Sequence, residues 1–393
     1  MTPPARVQAA IEILDLVIAS ARVNGPPADR IIADWFRSHR FAGSGDRRAV
    51  RELAYQAIRA CGELPVSGRS AMLRLAQGDY ALAELFDGSR HAPPPIDPAE
   101  PIAAAGLAPD WLAAALAVSG IAGEEAEGLL SRAPLDLRVN TLKGERADLD
   151  LPTDAAPTLA RNGIRLPFGT QVEQWEAYRE GRIEIQDSAS QLVCEALGAQ
   201  PGETIVDLCA GAGGKTLALA AAMENRGRLI ACDIDRGRLS RLGPRAVRAG
   251  ATMIEMQLLD PGREALALGP WQGAADAVLV DAPCSGTGTW RRNPEARWRL
   301  SEARLAAHIA TQARLLDLAA SLVRPGGRLI YATCSLLDGE GADQITAFLA
   351  RHSDWRAEPL PVPAGLPRGS GFRLTPYHDG TDGFFIARLS PIC

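Results

Sequence analysis

ETIVDLCAGAGGKTLALAAAM, Glu203 to Met223, reads as an apolar strand, a glycine-rich turn and a helix in immediate succession. The same alternation continues outward from it. SASQLVCEALGA (188–199) is a helix just upstream. Downstream, GRLIACDID (227–235) is a strand, RGRLSRLGPRAVRAG (236–250) a helix and ATMIEMQLLD (251–260) a strand. AADAVLVDAPC (274–284) is a strand, followed by the long helix SEARLAAHIATQARLLDLAASLV (301–323). GGRLIYATCS (326–335) is a strand, GADQITAFLARH (341–352) a helix and DGFFIARL (382–389) a last strand. Regular alternation of strand and helix predicts an α/β fold, a doubly wound and mostly parallel sheet with helices on both faces. No internal repeat is visible.

The chain has 393 residues, more than one core usually serves, so two or three domains are expected. Hydrophobic residues make up 47% and charged residues 23%, an ordinary globular composition. No apolar run approaches a membrane span. Val7, Ala10, Ile11, Leu14, Val17, Ile18 and Ala21 recur at helical spacing, and Glu12 and Asp15 interrupt the run. That is an amphipathic core helix rather than a signal peptide. A soluble cytoplasmic protein with no membrane partner is the expectation. The seven cysteines are scattered, with no CxxC and no nearby His at metal-ligand spacing, which argues against a disulfide framework and a metal site.

The formal charge of −5 does not advertise nucleic acid, but its distribution is uneven. Residues 30–59 carry seven Arg against three acids, and residues 285–304 five Arg against two. A charge cluster alone is more often a solvated helix face. Only Lys143 and Lys215 are lysines.

Residues 1–85 read as all helix, with apolar spacing from Val7 to Val23, from Ile31 to Phe41 and through VRELAYQAIRACGEL (50–64). Boundaries are placed at 1–88 for a helical domain, 89–108 for a Pro-rich linker, 109–187 for a small α/β lead-in and 188–393 for the alternating domain. Within the lead-in, PLDLRVNTLK (134–143) and RIEIQD (182–187) look like strands.

Three cofactor classes compete for the loop VDLCAGAGGKT, Val206 to Thr216. A phosphate-binding loop needs its first Gly where Cys209 stands. A dinucleotide loop is served by Gly211 and Gly213 but meets Thr216 at its third position. An S-adenosylmethionine loop wants an acid at the strand end, here Asp207, then small residues that let the backbone approach the ligand. It also wants an acid at the next strand tip for the ribose hydroxyls, here Asp233, and Asp260 at the third tip is within reach of the adenine. Any one such carboxylate is commonly a helix cap; three at one edge favour a ligand.

Cys284 and Cys334 each close a strand-like run. If those runs are parallel neighbours, about 4.7–4.9 Å apart, both thiols reach one planar ring. Few chemistries want that, and methylation of a pyrimidine carbon is one. A thiolate adding at C6 of cytosine makes C5 nucleophilic, and protonation at N3, for which Asp281 is placed, assists. Chemistry alone allows either thiol to attack. A Cys at a strand end is more often a small buried hydrophobe, and Cys61, Cys194 and Cys232 read that way. Cys209 is ambiguous, and Cys393 is a terminal residue without evident role.

DAPCSGTGTWRRNPEARWR (281–299) and YATCSL (331–336) resemble the two signature motifs of the NOL/NOP/Sun family of RNA cytosine-5 methyltransferases. DLCAGAGGKT, PLDLRVNTLK, IQDSASQLV, LVRPGGRLIYATC and TDGFFIARL are similar to its other segments, so the likeness covers roughly 130–393. It implies a Rossmann-like class I methyltransferase fold and S-adenosyl-L-methionine as cofactor. It implies Cys334 as nucleophile, Cys284 as the residue assisting product release and Asp281 as the N3 acid. Cofactor contacts are implied for Cys209, Ala210, Gly211, Ala212, Gly213, Gly214, Lys215, Asp233, Asp260 and Asp281. The family's loop commonly has Pro where Ala212 stands; binding is expected to survive. Thr-Cys-Ser after the fifth strand, rather than a Pro-Cys nucleophile on the fourth, argues for RNA and against DNA.

The N-terminal helices, with GSGDRRAVRELAYQAIR (43–59), resemble the NusB-type RNA-binding bundle. Within the family that fusion points to 16S ribosomal RNA as partner, with tRNA or another rRNA site as alternative. Arg37, Arg40, Arg47, Arg48 and Arg51 are then expected at phosphates. Arg291 and Arg292, next to Trp290, are expected to touch RNA, since an enzyme that modifies a base extracts it from its stack. Trp290 and Trp298 are otherwise core residues. A non-catalytic assembly factor and a P-loop ATPase are the readings from other classes. The oligomeric state is open, with a monomer favoured.

Overall fold

The computed structural model describes every residue except Pro363 and Cys393; the expectation for Cys393 therefore lies outside the described residues. The chain forms two compact units, Met1–Ser131 with Thr289–Ser301, and Arg132–Gly288 with Glu302–Cys393. Among the described residues no helix is long and apolar enough to cross a membrane.

The first unit is helical. Its main elements are α1 (Pro3–Arg22), α2 (Ala28–Ser38), α3 (Ser44–Ala60) and α4 (Gly68–Ala76). The stripe Val7, Leu14 and Val17 on α1 is completely buried with Val50 and Ile58 of α3 and Met72 of α4. A Cβ on Gly68 would lie 2.2 Å from the Ile11 carbonyl oxygen, so only glycine permits this crossing of α4 over α1.

The Pro-rich stretch is not a free linker. The Gly62 N–H donates to the Ala104 carbonyl at 3.0 Å, the Ala103 N–H to that of Ser70 at 3.1 Å, and Arg69 pairs with Glu100. These bonds fasten residues 100–104 to the bundle, and the unit ends at Ser131 instead.

Residues 289–301 form part of this helical unit. Arg297 is fully buried and its Nη2 donates to the Ile58 and Cys61 carbonyls, each at 2.7 Å, satisfying the open C-terminus of α3. Glu295 Oε1 accepts the Ala28 N–H at 2.8 Å and caps α2, whose own N-cap, Pro27, offers no side-chain acceptor. Arg299 reaches the Gly25 carbonyl at 2.8 Å, and Trp298 packs into the bundle core.

The second unit opens with a small antiparallel sheet of β1 (Leu135–Val139), β2 (Ala156–Pro157), β3 (Gly163–Leu166) and β4 (Ile183–Ile185), ordered β2-β3-β1-β4. Its large sheet holds β5 (Thr204–Asp207), β6 (Arg228–Asp233), β7 (Ile254–Leu258), β8 (Ala275–Asp281), β9 (Val323–Thr333), β10 (Trp355–Glu358), β11 (Leu366–Arg368), β12 (Gly371–Leu374) and β13 (Phe384–Pro391). The order is β11-β12-β13-β9-β8-β5-β6-β7, with β10 pairing β13. β5 to β9 run parallel and β13 is antiparallel to β9. This is the Rossmann-like α/β architecture expected, with antiparallel strands added at one side. The completely buried runs in β5, β6, β8 and β9 carry apolar residues on both faces, as helix-covered parallel strands require. Strand order reverses between β5 and β8, which makes the crevice at their C-terminal ends the place for a ligand.

Candidate active site

The register of β8 and β9 decides the position of the two cysteines. Asp281, at the end of β8, lies opposite Ala332, and the Ala282 N–H donates to the Ala332 carbonyl at 2.9 Å. Three residues beyond Asp281 and two beyond Ala332, the Sγ atoms of Cys284 and Cys334 stand 3.4 Å apart. Both are free thiols and half-buried. The Cys284 thiol is pushed well up, first by its hydrogen bond with Cys334 and then by burial and the Glu340 charge.

The turn after β5 forms the second wall. Asp207 is fully buried, and Thr216 donates its hydroxyl to Oδ2 at 2.7 Å. Its Oδ1 has no partner. Burial, with the Asp281 and Asp233 charges adding to it, pushes this carboxyl up to about 7. Gly211 and Gly213 have φ of +58° and +86°, left-handed values that carry the turn around into the helix Gly214–Ala222, here α5. A Cβ on Gly213 would lie 2.1 Å from Leu242 Cδ1. Above Gly214 no atom comes within contact of such a Cβ.

Lys215, at the start of α5, reaches back along the crevice. Its Nζ donates to Asp281 Oδ2 at 2.7 Å and lies 5.2 Å from the Phe384 ring centre. Burial pulls its ammonium down, but the Asp281 carboxylate more than offsets this and leaves it raised. Asp233 is buried and accepts the N–H groups of Gly211 and Asp235, each at 2.7 Å, so its carboxylate shapes the loop. Asp260 is exposed and lies two residues beyond β7 rather than ending it. The structure therefore gathers the loop, Lys215, Asp281 and both thiols along one sheet edge, with Asp233 bonded into that loop.

Cys209 is half-buried within the loop, and burial beside Asp207 pushes its thiol well up. Cys61, Cys194 and Cys232 are buried; burial raises the first two to about 11 and about 12. Low reactivity follows for all of them.

The expectation for Arg291 is overturned. It is 5% exposed, Trp290 is 0% and Trp298 6%, all within the helical unit. The Arg291 carbonyl accepts from Arg59 at 3.2 Å. Arg292 is half-buried beside them. Trp298 packs into the bundle core and Arg297 satisfies the end of α3, so these side chains are committed to the helical unit rather than to a stacking platform. Arg47 and Arg48 are exposed on α3, as are Arg37, Arg40 and Arg51 around them.

Sequence reasoning missed Glu340. It is completely buried in the turn Asp338–Glu340 and joins both cysteine loops. Oε1 accepts the Ser285 N–H at 2.9 Å and Gln312 Nε2 at 3.0 Å, and Oε2 accepts the Ser285 hydroxyl. Ser285 Oγ lies 3.1 Å from Ser335 Oγ, which lies 3.2 Å from Thr287 Oγ1. The serine following each cysteine thus belongs to one buried network. A lone Glu in Asp-Gly-Glu-Gly carries no motif signal. A cavity of about 460 Å³ lined by Arg146, Leu149, Asp150 and Thr153 opens beside β2 and holds none of these residues.

Residues 194–390, half the chain, match the family described as 16S rRNA methyltransferase RsmB/F. The chain belongs to the RsmB/F family. Among RsmB/F-type relatives, the probable ribosomal RNA small subunit methyltransferase B of Synechocystis sp. is 39% identical over 273 residues, 65% of this chain and 59% of its own. The ribosomal RNA small subunit methyltransferase B of Xanthomonas campestris pv. campestris is 34% identical over 293 residues, 72% of this chain and 66% of its own. The matched stretch thus spans less than two thirds of these relatives' length. The crystal structure of PH0851 superposes with a TM-score of 0.80 at 27% identity, covering 99% of each chain.

Proposed function

We propose that this RsmB/F-family chain methylates carbon 5 of a cytosine in 16S ribosomal RNA, with S-adenosyl-L-methionine as methyl donor. The observation that carries the reading is the pair of thiols 3.4 Å apart at the ligand-binding edge of the sheet, beside Asp281 and the glycine-rich loop. The small-subunit methyltransferase names of the relatives supply the substrate class.

The loop fits the cofactor. A buried carboxylate oxygen without a partner, Asp207 Oδ1, suits an ammonium group such as the ligand's amino-acid end. The backbone from Cys209 to Lys215 (Ala210, Gly211, Ala212, Gly213 and Gly214 between them) lines its cradle, Asp233 and Asp260 flank its far side, and Asp281 stands at its inner end. When bound, S-adenosylmethionine supplies the methyl group.

Cys334 attacks C6 of the cytosine as a thiolate, forming an S–C6 bond and making C5 nucleophilic. Asp281, with Lys215 behind it, holds the proton at N3 in that state. Release requires loss of the C5 proton and cleavage of the S–C6 bond. Cys284 assists by giving its S–H proton to the departing Cys334 sulfur and taking up the C5 proton in its place, across the contact already present between the two sulfurs. Exposed Arg47 and Arg48 meet RNA phosphates in a NusB-like RNA-binding bundle. Transfer of labelled methyl to 16S rRNA, mapped by bisulfite sequencing, tests the whole reading. Label at one or more cytosines is expected; no transfer to naked rRNA or to small subunits contradicts it.

A further inference from the structure

We propose that Glu340 is a positioning residue that fastens the two cysteine loops together and holds Cys284 as the protonated member of the pair. The proposal goes beyond the methyl-transfer reading by naming what separates the two sulfurs.

The fastening is direct. Glu340 binds the Cys284 loop through the Ser285 N–H and hydroxyl, and the Cys334 loop through the Ser285–Ser335 contact. Gln312 braces it from the long helix Glu302–Leu322, donating at once to Glu340 Oε1 at 3.0 Å and to the Pro283 carbonyl at 2.9 Å. The Leu336 and Leu337 N–H groups close the far side on Thr287 Oγ1 and Ser335 Oγ, at 2.9 and 3.2 Å. Glu340, Ser335, Thr287 and Gln312 are all completely buried. No water competes for these bonds, so the carboxylate is fixed in place.

The neighbouring Cys334 sulfur, through its hydrogen bond, is the first to oppose ionisation of Cys284, and burial and the Glu340 carboxylate add to it. Tyr331, whose hydroxyl donates to the Glu340 carbonyl at 2.8 Å, is itself pushed well up by burial and stays neutral. A thiol buried beside anions keeps its proton. The 3.4 Å contact between the sulfurs is within reach for Cys284 to donate.

The test reads thiol chemistry alone, in the full chain without RNA or cofactor, so it stands or fails separately from methyl transfer. In a Cys334→Ala background, iodoacetamide labelling of Cys284 is followed against pH by peptide mass spectrometry. Glu340→Gln keeps the shape and removes the charge. It is expected to lower the pH midpoint by about one pH unit, with Cys284 labelled roughly tenfold faster below the midpoint. Glu340→Met, an apolar side chain of similar length, is expected to move it the same way. An unmoved midpoint in variants that melt like the parent overturns the proposal. Glu340→Gln keeps an acceptor oxygen for the Ser285 N–H, so that variant is expected to fold; its failure to fold overturns the assignment of the charge to Cys284.

Discussion

Residues 281–288 and 289–299 are continuous in sequence and lie within one signature motif, yet they serve different ends. The first stretch places Asp281, Cys284 and Ser285 at a sheet edge, where each meets another polar or ionisable side chain. The second is taken into the helical unit, where Glu295 and Arg297 cap helices and Trp290 and Trp298 fill space. A motif records which residues occur together, not which of them face a substrate. Burial separates the two roles here: the thiols are half-buried, while Trp290 and Arg291 are closed off.

The contrast is open to direct disruption. Arg297→Ala removes the donor from three carbonyls, those of Ile58, Arg59 and Cys61, and leaves a hole. Orphaned buried acceptors cost about 1–3 kcal/mol each, so a loss of about 5 kcal/mol is expected by denaturant unfolding. Below the transition, labelling of Cys284 and Cys334 is expected to match the parent. If the stretch were instead an RNA-facing loop, stability would hardly change.

Asp207→Asn tests the sheet edge, where a buried acid has one oxygen without a partner. Its folded value, about 7, lies above the ordinary 3.8, so the folded state binds the extra proton. The contribution of Asp207 to stability is therefore full below pH 4 and is lost as pH rises towards 7, by up to about 4 kcal/mol. Asn removes that dependence. Without cofactor, the variant is expected to melt above the parent from pH 7 upward and close to it near pH 4, and to lose cofactor affinity by calorimetry. Parallel melting curves across that range would contradict the assignment.

The smallest effect is expected on the exposed face of α3. Arg47→Gln and Arg48→Gln are each expected to weaken RNA binding a few-fold, and to lower the magnitude of the salt slope by about one. Arg291→Gln is expected to act through stability instead. A reversal of that order would restore the RNA-facing reading of the motif's second half.

The parallel sheet was readable because strand and helix patterns alternate from Ser188 to His352; among the described residues, β10 to β13 follow with no helix between them. The meeting of Cys284 and Cys334 was readable for the same reason, since both close strands that pair in register. Arg291 was misread because Trp and Arg make equally good stacking platforms and buried plugs, and only the fold distinguishes them. Asp233 was read as a ligand group; the structure gives both its oxygens to backbone N–H groups of the loop and the turn after β6. The Pro-rich stretch looked like a linker because prolines break helices; it is anchored through the Ala103 N–H and the Ala104 carbonyl. Glu340 was invisible, because its role depends on a long-range fold that brings Ser285 and Gln312 onto one turn.

The proposed division of labour between the two neighbouring thiols is most directly tested by trapping the RNA adduct. Each single variant is incubated with 16S rRNA and S-adenosylmethionine and run on a denaturing gel. Cys284→Ala is expected to accumulate a slow-migrating covalent complex, and Cys334→Ala to form none and to lose turnover. An adduct from Cys334→Ala, together with normal turnover by Cys284→Ala, would contradict the assignment.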